Sequence, residues 1–139
     1  MGSRFANRTI AIVDDDPDIL QSIEMAFRHE GARTLTATDG LGALHLVREH
    51  AGAGGDAPDA GGAKLDILVL DMMLPRSSGL LVLEKLHEER IEIPVIMVTA
   101  NQGRRHREFA LGLGARAYLQ KPVSLVRRLE TAANLLANC

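Results

Sequence analysis

Five short apolar runs alternate along the chain with segments whose apolar residues recur at helical spacing. Thr9 to Val13 is rich in β-branched residues and has no polar alternation, which predicts a strand buried on both faces. Asp16-Pro17 then supplies an N-cap and a first-turn proline. A stripe of Ile19, Leu20, Ile23, Ala26 and Phe27 follows and stops at Gly31. Arg33 to Thr38 predicts a second strand, and Asp39 caps a second helix striped by Leu41, Leu44 and Val47. Leu65 to Leu70 is the third strand, Ser78 to Arg90 the third helix, and Pro94 to Val98 the fourth strand. A basic helix covers Arg104 to Leu113, and Ala117 to Gln120 is the fifth strand. The closing helix carries Leu125, Val126, Leu129, Leu135 and Leu136. Repeated βα units imply the α/β class: a parallel sheet with right-handed crossovers and helices on both faces.

One segment breaks the rhythm. Residues 51 to 63, AGAGGDAPDAGGA, hold little that can pack and predict a flexible surface excursion. Neither half of the chain alone would bury much core, so the 139 residues make one domain. A formal net charge of -2 gives no general case for nucleic acid or an anionic membrane. Three phenylalanines, one tyrosine and no tryptophan offer no platform for stacking bases. The only cysteine, Cys139, is the last residue, which excludes an internal disulfide and suits a reducing cytoplasm. No signal-peptide core or membrane-length apolar run is present, and Ala6 breaks the myristoylation pattern. A soluble, cytoplasmic protein is expected.

The chemistry collects where parallel sheets bind ligands, beyond the carboxyl ends of the strands. Strand one runs into Asp14-Asp15, strand three into Asp71, strand four into Thr99, and strand five into Lys121. Two or three acids can hold Mg²⁺, an oxygen-seeking cation that offsets their mutual repulsion. One carboxylate can then attack phosphorus, while lysine and hydroxyl bind the phosphoryl oxygens. Asp16 and Asp18 read as helix-capping and first-turn residues. The five histidines lack metal spacing, with His45, His50 and His87 expected on solvated helix faces. Met72 and Met73 read as packing residues. Arg104, Arg105 and Arg107 form a basic patch with His106, either a solvated face or a docking surface.

From about Arg8 to Ala137 the chain resembles the receiver domain of two-component response regulators. The landmarks occur in order: the acidic pair in IVDDD, LDMMLP with proline four residues after the aspartate, Gly79, VTA, and YLQKP. The resemblance implies a flavodoxin-like fold with strand order 2-1-3-4-5 and a phosphoacceptor at Asp71. It implies Mg²⁺ on Asp14, Asp15 and Asp71, with the Met73 backbone carbonyl as a further ligand. Thr99 becomes the switch hydroxyl, Lys121 the phosphate-pairing lysine, Tyr118 the aromatic switch, and the bond before Pro122 is cis. A histidine kinase or phosphotransfer protein would donate the phosphoryl group. An effector or output domain would read the face of helix four, strand five and helix five, with no nucleic acid bound by this domain. Such a chain is a phosphoacceptor, not an enzyme, and is either a stand-alone receiver or one excised from a longer regulator.

Two features depart from the pattern: the insertion at 51 to 63, and Ser78, where many members carry aspartate. The competing readings are a haloacid-dehalogenase-type phosphatase and a receiver that only binds partners. The first needs an acid two residues after the nucleophile, where this chain has Met73. The second leaves a complete reaction centre without a use.

Overall fold

The expected runs form ten elements in a computed structural model that describes residues 4–50, 64–72, 74, 78–100 and 104–137. They are β1 (Thr9–Val13), α1 (Pro17–His29), β2 (Arg33–Ala37), α2 (Gly40–His50), β3 (Ile67–Asp71) and α3 (Gly79–Glu88). Then come β4 (Val95–Thr99), α4 (Arg104–Gly112), β5 (Ala117–Gln120) and α5 (Leu125–Ala137). All strands are parallel, in the order β2-β1-β3-β4-β5. Order and class match the expectation.

Strand alternation, invisible as polarity in the sequence, appears as a division between two cores. Ile10, Ile12, Ile67, Val69, Ile96 and Val98 face one cluster, shared with Leu20, Ile23 and Phe27 of α1 and Leu129 and Ala132 of α5. Ala11, Val13, Leu68, Leu70, Val95 and Met97 face the other, with Val47 of α2 and Val82, Leu83 and Leu86 of α3. Both faces are apolar because both are covered. Phe5, upstream of the Arg8 boundary, is also fully buried, its ring centroid 5.1 Å from that of Phe27.

The helix starts follow their capping residues. Asp16 accepts hydrogen bonds from the Asp18 and Ile19 N–H groups at 2.9 and 3.3 Å. Asp39 accepts from Gly42 N–H at 2.7 Å, and Ser78 from Leu81 N–H at 3.2 Å. Gly31, at φ 94°, follows α1 in a conformation that glycine adopts without steric cost.

Several expectations of detail are corrected. β2 stops at Ala37, and β3 runs from Ile67 to Asp71, although Leu65 before it is still buried. Ile19, Leu41, Leu125 and Val126, assigned to buried stripes, are exposed. In α2 the buried line is Gly40, Ala43, Leu44 and Val47, and Leu41 lies about 200° around the axis from Ala43. In α5 the line is Arg128, Leu129, Ala132 and Leu136, so an arginine takes an inward place that Val126 does not. The 51 to 63 segment, Pro75 and the side chains of Arg104, Arg105 and His106 lie outside the described residues.

α3 begins directly against the end of β3. Gly79 N–H donates to the Met72 carbonyl at 2.8 Å. A Cβ on Gly79 would lie 2.4 Å from the Asp71 carbonyl oxygen and 2.7 Å from Met72 Cα. Both obstacles are backbone and cannot swing away. Gly79→Ala is therefore expected to lose roughly 1–3 kcal/mol in urea unfolding, despite the usual helix advantage of alanine. Unchanged stability would show that the β3–α3 junction has slack.

Candidate functional site

Parallel strands of similar register end together, and their last residues form one edge. Asp71 pairs with Val98 across β3 and β4, and Thr99 with Gln120 across β4 and β5. Asp71, Thr99 and the residue after Gln120, Lys121, are thus neighbours although they are far apart in sequence. Lys121 Nζ lies 3.0 Å from Asp71 Oδ2, a contact made by a half-exposed lysine with an aspartate only 3% exposed. The Lys121-Pro122 bond is cis, as the resemblance implied.

Asp14 follows β1 and is buried, whereas Asp15 is exposed. Asp14, Asp15 and Asp71 each bring a carboxylate oxygen within 4.8 Å of the others. Asp14 Oδ1 accepts from Asp16 N–H at 3.0 Å, while Asp16 itself turns away to cap α1. The acidic run therefore divides its labour: two carboxylates face the sheet edge and the third starts the helix. Burial pushes the Asp14 carboxyl above the usual aspartate range, and repulsion from Asp71 and Asp15 adds to this. The Asp16 N–H and Lys121 oppose the rise. Three hard oxygen donors, one of them protonated more readily because it is buried beside two other acids, fit a hydrated divalent cation such as Mg²⁺. Met73, whose carbonyl was the further expected ligand, lies outside the described residues.

Thr99 is fully buried and its hydroxyl donates to Met72 Sδ at 3.5 Å. Met72 is itself core, as expected of a packing residue, yet it also touches the hydroxyl at the site. Tyr118 packs its ring against the same core, with its hydroxyl buried and no hydrogen-bond partner of normal geometry among the described residues. Burial pushes that phenol above its ordinary value, and the Thr99 hydroxyl is the main influence holding it down. The geometry thus brings together Asp14, Asp15, Asp71, Thr99 and Lys121, with Tyr118 behind Thr99. One participant escaped the sequence reading, the Met72 thioether on the Thr99 hydroxyl. The burial of Arg128 on α5 was also missed, although its spacing from Ala132 and Leu136 puts it on the buried line.

The Asp14 shift has a definite sign. An acid with a raised folded-state pKa binds its proton more readily folded, so its charge lowers stability as pH climbs above the ordinary aspartate range. Asparagine keeps an oxygen for the Asp16 N–H and removes the charge. In chelator, Asp14→Asn is expected to raise Tm at pH 7, with the gain fading as pH falls to the ordinary aspartate value near 3.8. Circular dichroism melts across that range check this, and a gain independent of pH would place its cause elsewhere.

Comparison with known proteins agrees with the geometry. The profile of the response regulator receiver domain matches residues 10–133. The chain is 36% identical over 117 residues to a probable transcriptional regulatory protein, TcrX, of Mycobacterium tuberculosis, covering 84% of this chain and 44% of that one. It is 33% identical over 128 residues to the response regulator SaeR of Staphylococcus epidermidis, covering 92% and 50%. The chain therefore spans about half the length of the curated relatives it matches. A CheY-like response regulator receiver domain protein from Methanospirillum hungatei aligns over 94% of both chains with a TM-score of 0.78 and 29% identity. No helix among the described residues is long and apolar enough to cross a membrane. The profile match, the relatives and the fold together show that the chain belongs to the response regulator receiver domains of two-component signalling.

Proposed function

We propose that this chain is a phosphorylation-controlled switch whose phosphoacceptor is Asp71. The observation that carries the reading is the 3.0 Å contact of Lys121 Nζ with Asp71 Oδ2 beside two further carboxylates. An Asp71 oxygen attacks phosphorus of a phosphohistidine on a histidine kinase or phosphotransfer protein. The P–N bond breaks, and the imidazole leaves with the bonding pair and takes up a proton. Asp14, Asp15 and Asp71 would hold Mg²⁺, which when bound neutralises charge on the phosphoryl oxygens. Lys121 pairs with one of those oxygens, and burial of Asp71 and Thr99 keeps bulk water back.

The switch follows from what Thr99 touches. A phosphoryl group offers its hydroxyl a far stronger acceptor than a thioether at 3.5 Å. Turning toward phosphate moves the hydroxyl relative to the Tyr118 phenol, which is buried with it. The change is read on α4, β5 and α5 by an effector or an output domain; the domain itself does not bind nucleic acid. It works in the cytoplasm. A phosphatase is disfavoured by Met73 standing where an acid would assist hydrolysis, and a purely adhesive receiver by the assembled charge.

Incubation with acetyl phosphate and Mg²⁺ is expected to add one phosphoryl group by intact mass, and Asp71→Asn to prevent it. Phosphorylation persisting in that variant would move the acceptor elsewhere. Thr99→Ala is expected to accept phosphoryl yet shift the α4–β5–α5 resonances only weakly on beryllofluoride addition. A wild-type-sized NMR response would remove Thr99 from the switch.

A further inference from the structure

At the end of the sheet away from Asp71, α3 and the turn between α4 and β5 border an open cleft of about 490 Å³. Val95 at its base precedes Thr99 by the length of β4, roughly 13 Å, which keeps the cleft clear of the phosphoacceptor edge. The floor is core: Leu83, Leu86, Ile93 and Val95 are buried, with half-buried Ile91 and Leu113 beside them. The rim is exposed and charged. Arg90 stands on the α3 side and Arg116 just before β5, where its backbone N–H donates to the Val95 carbonyl at 2.9 Å. His87 adds a ring N–H, and Glu92 is the only acid among the described residues of the lining. The volume falls within the span of small-molecule sites, roughly 300–1,000 Å³.

Arg90 bears an independent mark. Helices α1, α3 and α4 close with the same kind of hydrogen bond. The Ala32 N–H donates to the Phe27 carbonyl at 3.1 Å, Ile91 to Leu86 at 3.0 Å, and Ala115 to Ala110 at 3.1 Å. α1 and α4 make that turn with Gly31 at φ 94° and Gly114 at φ 109°, but α3 makes it with Arg90 at φ 56°. A side chain in this left-handed conformation meets a steric cost that glycine escapes. The turn itself gives no reason for arginine; the cleft beside it does. The adjacent acid, Glu89, is already engaged by Arg48, whose Nε donates to its Oε1 at 3.0 Å. Neither Arg90 nor Arg116 makes an ion pair or side-chain hydrogen bond among the described residues.

The geometry points to a binding site for one small amphipathic carboxylate, its apolar body on the aliphatic floor and its charged end paired with Arg90 and Arg116. A guanidinium holds a carboxylate through two parallel N–H donors. Two arginines against one glutamate leave the rim net positive, so an uncharged molecule of the same shape gains less there. A wholly apolar occupant would have no use for the arginines, and an inorganic anion none for the floor. The site stands apart from Asp71, so its test does not depend on phosphorylation.

Octanoate is the probe, titrated into the full chain and followed by amide NMR, with 1-octanol as its uncharged counterpart. Saturable shifts are expected, centred on residues 86–93 and 113–116, with 1-octanol binding at least about threefold more weakly. Arg90→Gly and Arg116→Gln are each expected to weaken octanoate binding by about three- to tenfold. Glycine accepts the turn at position 90 without strain, so Arg90→Gly is expected to stay folded, and its melting curve separates lost binding from lost structure. Shifts that do not saturate or that centre elsewhere would overturn the inference. So would 1-octanol binding as tightly as octanoate, or wild-type affinity in either arginine variant.

Discussion

Like charges brought to one edge of a sheet must be compensated, and that constraint organises this domain. Asp14, Asp15 and Asp71 converge because β1 and β3 are adjacent and end together. Lys121 reaches Asp71 from beyond β5 because β4 and β5 continue the same register. Lys121 faces three carboxylates, so the compensation stays incomplete; burial first, and then repulsion from Asp71, raises the Asp14 carboxyl. In a structure optimised for stability alone these acids would be replaced. Their presence is intelligible on the proposed reading, in which a bound cation supplies the missing charge.

The rest of the fold holds this edge still. Two apolar layers clamp the sheet from both sides, so the strand ends cannot shift separately. Gly79 lets α3 start against the Asp71 and Met72 backbone, fixing the direction in which β3 delivers its carboxylate. At the other side Arg128 grips the Val123 carbonyl and steadies the turn after β5. Rigidity under the site and incomplete charge balance at the site are complementary: an added anion or cation changes energies there without first having to organise the scaffold.

The path outward from the edge is short. Thr99 ends β4, and its hydroxyl rests on the Met72 thioether. Tyr118 on neighbouring β5 keeps a buried phenol with no hydrogen bond of normal geometry among the described residues. Exposed Phe109, Leu111, Leu125 and Val126 lie on α4 and α5, the helices flanking that strand.

Much of this was legible before any coordinates. Buried parallel strands announce themselves as unbroken β-branched and apolar runs, and Asp16, Asp39 and Ser78 cap helices through local hydrogen bonds that need only neighbouring residues. The candidate residues Asp14, Asp15, Asp71, Thr99 and Lys121 were legible because strand ends in a parallel sheet share an edge by topology. Other properties depend on distances between segments remote in sequence, and only tertiary structure decided them. The Thr99–Met72 contact, the refusal of a Cβ at Gly79, and the buried Tyr118 hydroxyl belong to this class. The clearest case is α5. Composition favours Leu125 and Val126 for its buried face, yet the rotation imposed by packing on β1, β3 and α1 turns Arg128 inward. Hydropathy records what a side chain costs to bury in isolation; which face of α5 turns inward depends on packing against elements remote in the sequence.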